Sequence, residues 1–151
     1  MDKCTRATGR WLLLRSAQRP FSGQATTELG AIVEKLRYMK SPAQVLRFAV
    51  ANEGSDPATL EAALRRLSMM VPAPGVEVSS RDVWTNERIT SDGRFHVLLN
   101  ALATRLEECS ARTLAYTADA AARLQAPSPE LMFLSERVAE AALSRQNAFN
   151  P

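Results

Sequence analysis

The chain has little of what most catalytic and metal sites are built from. There is one histidine, His96, and there are two cysteines, Cys4 and Cys109, far apart in sequence. No zinc-ligand spacing can be written from these residues, and two cysteines cannot make a disulfide framework, which fits a reducing compartment. No Gly-rich phosphate loop and no Ser/His/Asp set occurs, and the only Cys–His pairing, Cys109 with His96, is separated by 13 residues. On one continuous helix that spacing places the two nearly 20 Å apart, so Cys109 reads as a buried or capping residue and His96 as a helix-surface or half-buried one. No apolar run approaches the roughly 20 residues needed to cross a bilayer. Glycine is scarce, at 6 of 151 residues, and aromatics make up 6%. These absences lead us to expect neither an enzyme nor a cofactor or small-molecule substrate.

What remains is apolar and patterned. Hydrophobic residues make up 46% and charged residues 23%, the composition of a folded, helix-rich chain. The formal charge of +3 is uneven. Five basic residues and one acid lie in residues 1–21, and residues 22–151 carry 14 basic against 15 acidic side chains. Overall charge therefore gives nucleic-acid binding no support.

Residues 1–21 form the first expected segment. Arg6, Arg10, Arg15 and Arg19 recur every four or five residues, and Trp11–Leu14 supplies an apolar side. That composition fits a mitochondrial targeting segment, with Arg19-Pro20-Phe21-Ser22 resembling a processing site cut after Phe21. The apolar core is too short for a secretory signal, and a nucleic-acid-binding arm would not need the leucines. A plastid or other organelle leader, or a non-targeting tail, stays open as an alternative.

Four times the chain sets a capping side chain directly before proline: Ser41-Pro42, Asp56-Pro57, Ser128-Pro129 and Asn150-Pro151. The cap oxygen accepts from an orphan N–H of the first turn, and proline loses no hydrogen bond at the first helical position. A chain ending on the fourth pair looks interrupted, as if further helices were to come. Between the caps, apolar residues recur at helical spacing. Leu29, Ile32, Val33, Leu36 and Met39 form the first stripe. Val45, Leu46, Ala49 and Val50 come after the capping-box sequence Ser41–Gln44, and that helix ends at Gly54. Leu60, Ala63, Leu64, Leu67 and Val71 make the third stripe, so residues 22–71 read as a first helical unit whose consecutive helices are antiparallel neighbours.

Residues 72–93 break the pattern and read as an insertion loop, with Trp84 and Ile89 candidates to pack back on the body. Residues 94–151 resume it. Phe95, Leu98, Leu99, Leu102 and Leu106 form one stripe; Ser110 caps a helix with Leu114, Ala118, Ala121 and Leu124 inward; a last helix turns Leu131, Leu134, Val138 and Ala141 inward. Phe48, Phe95 and Phe133 read as core. Cys109-Ser110 and Phe149-Asn150 occupy equivalent places 40 residues apart, a period typical of paired-helix repeats. We expect an all-α fold of antiparallel helical hairpins stacked as a short, degenerate α-solenoid; a six-helix bundle with coincidental spacing is the alternative. With no further helix to cover them, Leu134 and Val138 are expected to be exposed, which implies marginal stability or association with another subunit.

Two stretches carry a resemblance. Ser41–Met70, SPAQVLRFAVANEGSDPATLEAALRRLSMM, is similar to the opening helical unit of organellar proteins related to the FAST-kinase-domain family. Arg94–Pro151, ending in Phe149-Asn150-Pro151, resembles the next units in those proteins. The group includes RAP-domain and octotricopeptide- or heptatricopeptide-like proteins of mitochondria and plastids, and helical subunits of the RNA-editing substrate-binding complex. The RAP domain itself has no counterpart in this sequence. The resemblance implies a non-catalytic protein of the mitochondrial matrix that binds transcripts or rRNA, with protein partners or further repeats. The alternative is a protein–protein scaffold, such as an accessory subunit of a mitochondrial ribosome or other organellar complex. The candidate RNA-contacting residues are Arg65, Arg66, Arg105, Arg112, Arg123 and Tyr116, with Arg137 and Arg145 further along. A contiguous basic groove would favour RNA; an apolar groove with dispersed charge would favour the scaffold. The simplest alternative for the arginines themselves is solubilising residues paired with neighbouring Glu.

Overall fold

The computed structural model of the chain describes residues 23–72, 84–124 and 128–149, with side chains considered over 27–72, 84–124 and 128–146. The expected targeting segment (residues 1–21), most of the expected insertion loop, Cys4 and the Asn150-Pro151 pair lie outside the described residues. Within them the chain is helical, with no strand. Seven α-helices run α1 Gly23–Tyr38, α2 Pro42–Ala51, α3 Pro57–Met70, α4 Asn86–Thr90, α5 Gly93–Ala103, α6 Ala111–Leu124 and α7 Pro129–Phe149, with a 3-10 turn at Leu106–Glu108.

Three of these helices begin at the proline of a cap–proline pair. Asp56 Oδ1 accepts from Ala58 N–H at 3.0 Å, and Ser128 Oγ accepts from Leu131 N–H at 3.4 Å. At α2 the reaching residue is Gln44, whose Oε1 accepts from the N–H groups of Lys40 (2.9 Å) and Ser41 (3.3 Å). A cap of this kind contributes about 1 kcal/mol. Helix α2 stops at Ala51, before Gly54, because Asn52 caps it by donating its side-chain amide to Phe48 C=O at 2.7 Å.

The helices pack in two rows, α1–α3–α6 and α2–α5–α7, joined by α2 on α3, α3 on α5 and α6 on α7. Sequence neighbours are not always packing partners. The principal partner of α1 is α3, and the 3-10 turn separates α5 from α6, which makes the most extensive helix contact among the described residues on α3. Helix α3 is correspondingly central: Leu60, Ala63, Leu64 and Leu67 are fully buried, as are Leu46 of α2, Phe95, Leu98 and Leu102 of α5, and Leu124 of α6.

Several expectations from the sequence change here. The insertion is partly helical: Thr85 Oγ1 accepts from Arg88 N–H at 3.2 Å to cap α4, whose Ile89 is buried in the core. Ala118 is exposed, and Thr117 takes the inward place on α6, its hydroxyl donating to Thr113 C=O at 2.8 Å. Leu134 and Val138 are buried at 0% and 5% exposure, not left open, because α7 packs on both α5 and α6. The marginal stability expected from their exposure therefore has no basis. Phe133 is the reverse case, 54% exposed where it borders a hollow between α5 and α7; Met132 and Leu143 of α7 are exposed as well. Phe48 is half-buried against the core, with Lys35 Nζ 5.5 Å from its ring centre.

Candidate functional site

The α3–α6 contact brings two helical pairs together, Glu61/Arg65 on α3 and Arg112/Tyr116 on α6. Each pair is spaced i,i+4, which puts both members on one helix face. The start of α6 is fixed by Ser110, whose hydroxyl accepts from Thr113 N–H at 3.1 Å and bonds the Thr113 hydroxyl at 2.9 Å. That cap sets Arg112 in the first turn, one turn before Tyr116.

The Arg65 guanidinium carbon lies 4.6 Å from the centre of the Tyr116 ring and that of Arg112 lies 5.3 Å from it. Arg112 Nε also donates to the Tyr116 hydroxyl oxygen at 3.3 Å. Around this cluster opens a cleft of about 460 Å³ between α1, α3 and α6. Leu29, Gly30 and Val33 of α1 form one wall, and Ala58 and Ala62 of α3 line the cleft with small side chains that leave room. The volume falls within the range of small-ligand sites.

Glu61 lies in the same cleft, a residue that the sequence did not single out. It is 6% exposed, in a helix where nearly every neighbour is apolar. Arg65 Nε stands 3.7 Å from its Oε1, inside ion-pair distance but beyond a hydrogen bond, and Oε1 has no hydrogen-bond partner. Burial raises its pKa to about 7, against the opposing pull of Arg65 and then Arg112. Removing a carboxylate from water costs more here than two imperfectly placed guanidiniums return. The only sequence signal was a lone acid inside the apolar run Leu60–Leu64.

The remaining candidates do not join the cleft. Arg66 donates through Nη2 to Arg37 C=O (3.2 Å) and Met39 C=O (2.9 Å), closing the C-terminal end of α1. Arg105 donates to Ser55 C=O and pairs with Glu108 at 2.8 Å. Arg123 pairs with Asp119 at 2.9 Å, two turns beyond Tyr116 on the exposed face of α6. Arg137 pairs with Glu140 at 2.8 Å, and Arg145 donates to Leu106 C=O (3.4 Å) and Glu107 C=O (3.2 Å). The candidate arginines are thus dispersed, and of them Arg65 and Arg112 line the cleft with Tyr116, while Arg66 lines an adjoining hollow with Arg37 and Arg65. Trp84 has its own cation, Arg88, 4.6 Å from its ring centre.

His96 is half-buried, with Nδ1 3.3 Å from Glu130 Oε1. Cys109 is 3% exposed, its thiol pKa pushed up by burial, and Sγ donates weakly to Arg105 C=O at 3.6 Å. Among the described residues no three His, Cys, Asp or Glu side chains gather as metal ligands, and no helix is long and apolar enough to cross a membrane.

No protein-family model matches the chain, and no characterised protein or solved structure matches it significantly.

Proposed function

We propose that this chain is a non-catalytic helical-repeat protein of organellar, mitochondrial RNA metabolism, and that it contacts RNA through the α1/α3/α6 cleft. The observation that carries this reading is the convergence of Arg65 and Arg112 on Tyr116 at the cleft. Single-stranded RNA is held by guanidiniums on its phosphates and by aromatic or guanidinium planes on its bases, and this cluster supplies both. In the same reading the two rows of helices form a short, degenerate α-solenoid of antiparallel hairpins, residues 1–21 direct import to the matrix, and further repeats or protein partners extend the array.

The dispersal of the other arginines changes the expected strength of binding. Arg66, Arg105 and Arg145 are engaged by backbone carbonyls and Arg123 and Arg137 by carboxylates, so among the described residues these five do not carry the Arg65/Arg112 cluster on into a long RNA footprint. Two phosphate contacts imply a shallow salt dependence, a log–log slope of about −1.4 for a single strand. Binding of the full chain to a single-stranded oligonucleotide over a salt series tests this. Arg65→Ala/Arg112→Ala is expected to weaken binding by about tenfold or more and flatten the slope, while Arg123→Ala leaves both within twofold. Unchanged affinity in the double variant sinks the assignment.

A second reading has its own observation. Met132, Phe133 and Leu143 are exposed on α7, and the α6–α7 groove is lined by Ala115, Ala118, Ala139 and Ala142. An apolar surface of this kind suits a scaffold that holds a partner helix. No RNA binding by the intact chain would put this reading first.

A further inference from the structure

The two arginines do not account for the buried carboxylate between them. The Glu61 side chain is 9% exposed, it lines the cleft, and its Oε1 accepts no hydrogen bond. An orphaned buried acceptor destabilises the fold that holds it, and a ligand that brings N–H donors to it removes that cost. The charged and titratable groups facing Glu61 are Arg65 from its own helix and Arg112 and Tyr116 from α6. Among the described side chains, helix α1 offers Leu29, Gly30 and Val33 to the cleft, and α2 and α5 contribute none of its walls.

We propose that the cleft takes one unstacked guanine nucleotide of an RNA strand, with Glu61 accepting from the base and Arg65 and Arg112 meeting its phosphates. The proposal rests on the RNA reading above and names what the same site selects. Guanine alone among the four bases presents two adjacent N–H donors, at N1 and on the exocyclic N2, spaced for the two oxygens of a carboxylate. Cytosine and adenine offer one amine beside a ring nitrogen that repels an ionised carboxylate, and uracil flanks its single N–H with carbonyl oxygens. The flat face a base needs is supplied by the guanidinium–Tyr116 stack.

The protonation state of Glu61 sharpens the selection. Because burial holds its pKa at about 7, the ionised form that suits guanine is the minority form at pH 6 and dominates at pH 8. The neutral acid offers one donor and one acceptor, the complement of adenine or cytosine. Guanine preference therefore grows as pH rises through 7.

The test uses the full 151-residue chain and fluorescein-labelled 12-nucleotide U-tracts carrying one central G, A, C or U, read by anisotropy at pH 6 and pH 8. At pH 8 the G-bearing strand is expected to bind about tenfold tighter than the other three, the discrimination of one good bidentate base contact. At pH 6 that advantage should shrink several-fold. Glu61→Gln, checked for helicity by circular dichroism, should bring the G-bearing strand to the level of the all-U strand at both pH values. Equal affinity for all four strands at pH 8 overturns the guanine assignment while leaving RNA binding intact, and failure to bind any strand overturns both. Should Glu61→Gln not fold, the wild-type chain still decides: a guanine advantage that is the same at pH 6 and pH 8 overturns the role given to Glu61.

Discussion

Helices α3 and α7 both carry an apolar stripe at helical spacing, yet the protein uses them differently. Helix α3 is enclosed by α1, α2, α5 and α6, so that even Thr59, Glu61 and Ser68 are buried with its leucines. Helix α7, 21 residues long, buries the single stripe Leu131, Leu134, Val138 and Ala141 and leaves Met132, Phe133 and Leu143 in water. A central helix must accommodate its polar residues inside the fold, and there a carboxylate acquires unusual chemistry. A peripheral helix sheds its excess apolar residues to the outside, where they become surface. The two candidate functions, a polar cleft and an apolar face, arise from that difference in position.

The contrast can be broken at either helix, and the expected effects descend from α3 outward. Leu64→Ala should cost about 3–4 kcal/mol, because a fully enclosed site cannot collapse around the missing atoms. Urea denaturation monitored by circular dichroism measures it, and a loss below about 1 kcal/mol would show that α3 is not enclosed on all sides. The next effect belongs to Glu61. Its pKa is raised in the folded chain, so the folded state binds the proton more tightly than the unfolded state does. The stability that this contributes is complete below about pH 4.5 and is lost as pH rises through about 7. Discounted for solvent at the cleft mouth, the loss amounts to about 2 kcal/mol. Glu61→Gln has no such proton to lose, so its stability relative to wild type should rise between pH 5 and pH 8; parallel curves would contradict the burial. The smallest effect is at α7, where Phe133→Ser should change stability by less than about 0.5 kcal/mol. If Phe133→Ser also lowers recovery of a bound protein partner at unchanged stability, the scaffold reading gains a contact residue.

What the sequence disclosed and what it hid divide along local and distant interactions. Pro42, Pro57 and Pro129 mark helix starts because a cap and its first turn lie within four residues of each other, and the stripes of α2, α3 and α5 come from helical period alone. The short helix α4 escaped because a five-residue element has no period to display. Which arginines stay available could not be read either. Arg66 meets Met39 across 27 residues and Arg105 meets Ser55 across 50, contacts set by how the helices stack. The same holds for Glu61, whose burial depends on α1 and α6, and for Phe133, which shares apolar character with its buried neighbour Leu134 and differs only in the face it occupies. Of the eight candidate residues, stacking brings Arg65, Arg112 and Tyr116 together and sends Arg66, Arg105, Arg123, Arg137 and Arg145 elsewhere.

Arg66, Arg105 and Arg145 each grip the main chain of another segment: the end of α1, the turn before α3 and the 3-10 turn. A carbonyl is the same whatever side chain accompanies it. Positions 37, 39, 55, 106 and 107 can therefore change identity without loosening these fastenings, subject only to their own packing, whereas Lys in place of any of the three arginines would give up the planar fork that spans two acceptors or reaches them at a fixed angle. The joints between helices are in this way encoded almost entirely on one side. Their turns can drift in sequence while the arrangement they connect stays in place.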